Sequence, residues 1–168
     1  MLLDIINWKR GDLSKVETVE IKIESDPRNE AFARVVVAAY AARLNPTMEE
    51  ISDIKTAVSE AVTNAILHGY GGKEGVILVK CGVEANELYV EITDTGVGID
   101  NIEKAMEPMY TSKPELERSG MGFAFMEAFM TKLTVESTPG KGTTVKMVKK
   151  IAKENHTEKI MDMAVGYN

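Results

Sequence analysis

One cysteine, Cys81, is all the sequence holds in 168 residues. A monomer therefore closes no internal disulfide, which points to a reducing, cytoplasmic setting. Cys81 lies in the apolar run Val76–Val83 and reads as a buried strand thiol. No apolar stretch approaches about 18 residues, so no segment reads as a membrane-spanning helix. Excess positive charge is missing too: 20 Lys and Arg against 26 Asp and Glu give a net charge of −6. That balance argues against general nucleic-acid or anionic-membrane binding, though not against a local basic patch. Met1–Ile6 is apolar but broken by Asp4, and Lys9-Arg10 follows that run, the wrong order for an export signal. Internal repeats and low-complexity tracts are absent. What remains, 44% hydrophobic and 27% charged, is ordinary for one compact domain with a full core.

Residues 1–16 stand apart, with the only Trp (Trp8) and a polar Lys9-Arg10-Gly11-Asp12 step. They read as a leader with two open explanations. One is a genuine short extension. The other is sequence ahead of the true start, since Lys-Arg-Gly-Asp can be encoded by a purine-rich, ribosome-binding-like stretch and Val16 by GTG. The N-terminal mass of the native protein separates the two. The domain proper is expected over 17–152, followed by a polar, frayed tail over 153–168.

Val19, Ile21 and Ile23 alternate with charged residues, the period of a half-buried strand. Asp26-Pro27 ends it, and Ala31–Leu44 reads as a helix stopped by Asn45-Pro46. Thr47 with Glu50 is a capping-box signature for a second helix, which runs to about His68 before Gly69, Gly71 and Gly72. Strand patterns over Val76–Val83 and Leu88–Thr93 form a hairpin. Asp100–Gly122 is mostly polar and reads as a mobile loop with one short helix. Phe123–Phe129 is helical, and Leu133–Ser137 and Thr143–Val148 form a second hairpin around Pro139-Gly140-Lys141-Gly142. The order β-α-α-β-β-loop-α-β-β predicts a two-layer α/β sandwich, with helices on one face of a mixed, mainly antiparallel sheet.

Three constellations carry possible chemistry. Glu60 and Asn64 are one helical turn apart and share a face, roughly opposite the apolar stripe of Ile51, Ile54, Val58, Val62 and Ala65. If a cleft covers that face, the carboxylate suits a general base and the amide oxygen a Mg²⁺ ligand. Asp94-Thr95-Gly96-Val97-Gly98 follows a strand; its Asp can accept from an exocyclic amine and its glycines allow close backbone approach. Gly120-Met121-Gly122 precedes a helix, whose free N–H groups suit phosphate. It is neither a P-loop nor a Rossmann fingerprint. Taken singly, these read as a solvated face, a turn and a hinge.

Together, and in this order, with Gly142-Thr143-Thr144 in the last hairpin, they resemble the ATP-binding fold shared by gyrase, Hsp90, sensor histidine kinases and MutL. The segments Asn29–Val35, Asn45–Met48, Val58–Tyr70 and Thr111–Phe123 narrow this, since they resemble the anti-sigma F factors of spore-forming bacteria over roughly residues 17–150. The resemblance implies a serine protein kinase that also sequesters a sporulation sigma factor, phosphorylates an anti-anti-sigma protein and forms a homodimer. ATP and Mg²⁺ are its implied cofactors, with no direct nucleic-acid or membrane partner. It implies Glu60 as the base and Asn64 as the Mg²⁺ ligand. Asp94 would bind the adenine amine, with Gly96 and Gly98 in its turn and Thr144 supporting Asp94 or a water beside it. Lys113, Arg118, Ser119, Gly120, Met121, Gly122 and Phe123 would form a lid over the phosphates. Arg34 would be the exposed helix arginine that meets both protein partners. The alternatives are a nucleotide-gated sigma-binding module without useful catalysis, a stress-response anti-sigma kinase, and the catalytic domain of a histidine kinase.

Other residues read as structural. His68 is expected to cap its helix, the ten methionines to be adaptable packing or a partner surface, and the run Lys146, Lys149, Lys150 and Lys153 to be a solvated edge or, as the alternative, a contact for an acidic partner.

Overall fold

A computed structural model describes residues 17–110 and 120–152; the expected leader (1–16), tail (153–168) and central lid segment (111–119) lie outside the described residues. Five strands are described: β1 (Glu17–Glu24), β2 (Val76–Glu84), β3 (Glu87–Asp94), β4 (Lys132–Thr138) and β5 (Gly142–Lys150). They form one sheet in the order β1-β2-β3-β5-β4. Each of these pairings is antiparallel, where the sequence left room for a mixed sheet. The helices are α1 (Arg28–Ala41), α2 (Met48–Asn64), α3 (Ile102–Ala105) and α4 (Gly122–Phe129).

The alternation read in β1 is realised: Ile23 is buried, and Val19 and Ile21 pack against the core. Cross-strand registers Val19↔Cys81↔Val90 and Ile21↔Val79↔Ile92 carry that apolar face through the sheet. The helices cover it with Ala33, Val37, Ile54, Val58, Val62 and Met126. Cys81 is buried, and burial pushes its thiol up to about 12. A thiolate-seeking reagent at pH 8 is therefore expected to label unfolded protein within minutes and leave the folded protein unlabelled. Rapid labelling of folded protein would contradict the burial.

α1 starts at Arg28, earlier than the sequence suggested. Asp26 makes this possible, because its carboxylate accepts from the Arg28 backbone N–H at 2.8 Å and from the Arg28 guanidinium. Those bonds hold the half-buried Asp26 carboxyl down at about 2. Pro27, taken as a breaker, needs no donor at a helix start. Asn45, at φ 51°, ends a single 3-10 turn, and the Thr47/Glu50 capping box then opens α2 as read. α2 does not run unbroken to His68. Its last turn, Ala65–Gly69, widens into a π-helical turn closed by Tyr70 N–H donating to the Ala65 carbonyl at 3.0 Å. Such turns re-aim a chain where α-geometry does not reach. This one delivers Gly69 to the end of β3.

Candidate functional site

α2 buries Ile54, Val58, Ala61 and Val62, and its next face holds Glu60 and Asn64, both half-buried. The cover that this face required is α4. Gly122, the first residue of α4, lies on it so closely that a Cβ there would stand 3.1 Å from Glu60 Oε2 and 3.3 Å from the Asn64 amide atoms. A glycine at that position lets the helix start meet the carboxylate and the amide.

Asp94 ends β3 and is the one buried charged residue among the described residues, 6% exposed. Its Oδ1 accepts from the Gly96 N–H at 2.9 Å. Burial raises its pKa, and backbone N–H groups of Gly96 and Thr143 offset part of that. The turn after it is wedged between two backbones. Val97 N–H donates to the Gly69 carbonyl at 2.9 Å, and a Cβ on Gly96 would stand 2.1 Å from that same oxygen. Gly98, at φ +73°, would direct a Cβ to within 2.3 Å of the Thr138 carbonyl. These two glycines therefore admit the chain's own backbone, and Gly96 does not line the cavity. Gly96→Ala is expected to destabilise the fold by roughly 2–3 kcal/mol, through overpacking against backbone that cannot yield. Urea unfolding would measure it, and an unchanged midpoint would refute the contact.

Between α2, the Asp94 turn and α4 lies a cavity of about 590 Å³, a size suited to a small-molecule ligand. Asn64, Asp94, Gly98, Gly120, Gly122 and Phe123 all line it. The structure thus brings most of the described site residues to one space. Gly120 is at φ +59°, and its carbonyl accepts from the Met109 N–H at 2.9 Å, so the described residues flanking 111–119 meet. Met121 is half-buried beside them. Lys113, Arg118 and Ser119 lie outside the described residues.

Thr144 does not line the cavity: its hydroxyl pairs with that of Thr93 at 3.0 Å, and strand alternation turns it away. Thr143 is the residue opposite Asp94 and lines the cavity instead. The doublet Thr143-Thr144 hides that phase in sequence; the β3–β5 register reveals it. Arg34 is not in the cavity. It sits on α1, its Nη1 3.3 Å from Glu30 Oε1 and 3.4 Å from Ser59 Oγ, and Ser59 donates to Glu30.

Sequence reasoning also missed other parts of the wall. Tyr70 fixes the adjoining loops, since its hydroxyl donates to the Val76 carbonyl and accepts from the Thr95 N–H at 2.9 Å. Lys104 and Tyr110 line the cavity, the ammonium 5.2 Å from the ring centroid. His68 also lines it. The basic run is not a uniformly solvated edge: Lys146 pairs with Glu136 and Lys149 with Asp53, each at 2.8 Å. Among the described residues, no cluster of three or more His, Cys, Asp or Glu is placed to hold a metal ion, and no helix is long and apolar enough to cross a membrane.

This fold, in which Asn64 and the buried Asp94 line one cavity and Glu60, outside its lining, lies beside Asn64 under the start of α4, has known counterparts. Residues 23–149 match the family described as the histidine kinase-like ATPase domain. Within it, the chain is 58% identical to the anti-sigma F factor of Clostridium acetobutylicum, over 80% of this chain and 94% of that one. It is 56% identical to that of a Thermoanaerobacter species (81% and 95%) and 59% identical to that of Clostridium botulinum (79% and 93%). The chain belongs to the histidine kinase-like ATPase domain family and, within it, to the anti-sigma F factors.

Proposed function

We propose that this chain binds ATP in the cavity, phosphorylates an anti-anti-sigma protein on serine, and sequesters a sporulation sigma factor. The observation that carries the kinase reading is the contact of Gly122 with Glu60 and Asn64, which puts a carboxylate and an amide beside a helix start. In the proposed step Glu60 takes the proton from the substrate serine. The serine oxygen bonds to the γ-phosphorus as the bond to the β,γ-bridging oxygen breaks, and ADP leaves. Such transfer depends on positioning and charge neutralisation more than on covalent help. N–H groups at the start of α4 would hold phosphate oxygens, and Asp94 would accept from the adenine amine.

The donor set fits Mg²⁺ of the kind that arrives with nucleotide phosphates and keeps most of its water, since Asn64 supplies one amide oxygen next to Glu60. Bound there, the ion would neutralise phosphate charge. Gly98 and Thr143 would shape the adenine end, with Gly96 holding the turn against the Gly69 carbonyl.

The proposed protein-binding surface is the outer side of α1. Phe32 and Val35 are each 55% exposed there, beside Arg34, whose side chain is 40% exposed. Exposed apolar side chains around a guanidinium favour a protein partner, in this reading a sigma factor, the anti-anti-sigma substrate or a second copy of the chain. The setting would be cytoplasmic, without direct nucleic-acid or membrane contact.

Incubation with γ-labelled ATP in a lysate of the source cells tests the reading. Acid-stable label on the serine of one small protein is expected. Acid-labile label on this chain itself would favour a histidine kinase. ATP binding without transfer would leave a nucleotide-gated binding module.

A further inference from the structure

Lys149, on β5, does not line the cavity, yet it ties together elements that build it. Its ammonium donates to Asp53 Oδ2 at 2.8 Å and to the Phe129 carbonyl at 2.6 Å. Both side chains are largely withdrawn from water, at 13% and 22% exposure. Phe129 ends α4, so its carbonyl is one of those a helix end leaves without an internal partner. A cation there also meets the negative end of the helix dipole. Asp53 stands on α2, the helix of Glu60 and Asn64. Thr131, just beyond α4, adds two strand bonds: its N–H donates to the Val148 carbonyl at 2.8 Å, and its hydroxyl accepts from the Lys150 N–H at 2.9 Å. One end of α4 is therefore bolted to α2 and β5, while its other end, Gly122, meets Glu60 and Asn64.

We infer that Lys149 is a positioning residue for the phosphate end of the nucleotide site. By fixing the C-terminal end of α4 to α2, it sets where the first-turn N–H groups of α4 stand relative to Glu60 and Asn64. The inference rests on the nucleotide reading above. α4 is only 8 residues long, about 12 Å, so a tilt at Phe129 is passed directly to Gly122. The adenine end is held differently. Asp94 and Thr143 face each other across β3 and β5, paired by the strand ladder. Loss of the Lys149 bonds should therefore loosen one end of the cavity and spare the other.

Calorimetric binding of ADP and of adenosine to wild type, Lys149→Met and Lys149→Arg tests this. In Lys149→Met the affinity for ADP is expected to fall about tenfold, as a misplaced contact set does. Adenosine affinity should stay within about twofold. Lys149→Arg keeps the charge and should restore most of the ADP affinity. A merely structural role would lower thermal stability but move both ligands together. Equal loss for the two ligands, or no loss, in a folded Lys149→Met variant overturns the inference. If that variant does not fold, Asp53→Asn carries the same comparison with the same outcomes. Wild type that binds adenosine and ADP equally also overturns it, because the phosphate end is then unused. Wild type that binds neither overturns the nucleotide reading and this inference with it.

Discussion

Glu60→Gln is expected to abolish phosphoryl transfer while ATP still binds. The glutamine has the same size and can lie against Gly122 as the carboxylate does, so the packing of α4 on α2 is preserved. What it loses is the ability to take a proton at the reacting oxygen. A positioned general base contributes roughly 10²–10⁴ in rate, and transfer to serine should fall by that factor. Nucleotide affinity should change only a few-fold, because the proposed adenine contacts stand at Asp94, at the other side of the cavity. Initial rates with γ-labelled ATP and equilibrium binding of ATP, on the same preparation, separate the two quantities. Equal loss of both would make Glu60 a structural residue. Full activity would move the base elsewhere.

The elements were legible because their signals are local. Period-two alternation marks β1, and the Thr47/Glu50 box marks the start of α2; both depend on residues a few positions apart. What stayed hidden depends on distant partners. Asp53 and Lys149 meet across 96 residues, so the lysine run looked solvated. Gly96 and Gly98 read as room for a ligand, because nothing in the sequence says that the Gly69 and Thr138 carbonyls fill those spaces. That Thr143 rather than Thr144 lines the cavity is set by the β3–β5 register, which composition does not carry. The pairing of Glu60 with Asn64 was legible, but its cover was not, since α4 starts 58 residues further along the chain, at Gly122. The site could be read as a set of motifs in order, and its geometry required the tertiary fold.

Asp94→Asn is expected to weaken nucleotide binding and stabilise the empty protein together. For binding, a buried carboxylate that accepts from an amine is worth more than a neutral amide oxygen, since hydrogen bonds to charged groups contribute about 1.5–3 kcal/mol. Adenine nucleotide affinity should therefore fall roughly tenfold or more. Stability moves the other way. Burial raises the Asp94 pKa above its ordinary value of 3.8, so the ionised form is disfavoured in the folded state relative to the unfolded one. A carboxyl shifted in that direction releases its proton more readily when unfolded, and stability then declines as pH rises. The penalty is absent below the ordinary value, where both states are protonated. It grows as pH climbs through the raised folded pKa, and it is complete above that. Asparagine cannot ionise, and its side-chain oxygen can still accept from the Gly96 N–H. The stability advantage of Asp94→Asn should thus be near zero at acid pH and positive at neutral pH. Urea unfolding of both proteins across pH, without nucleotide, measures it directly. A variant less stable than wild type at pH 7 would mean that the carboxylate stabilises its turn, and the raised pKa would be wrong. A variant more stable but weaker in binding would identify Asp94 as a charge kept buried, at the expense of stability, for the ligand it receives.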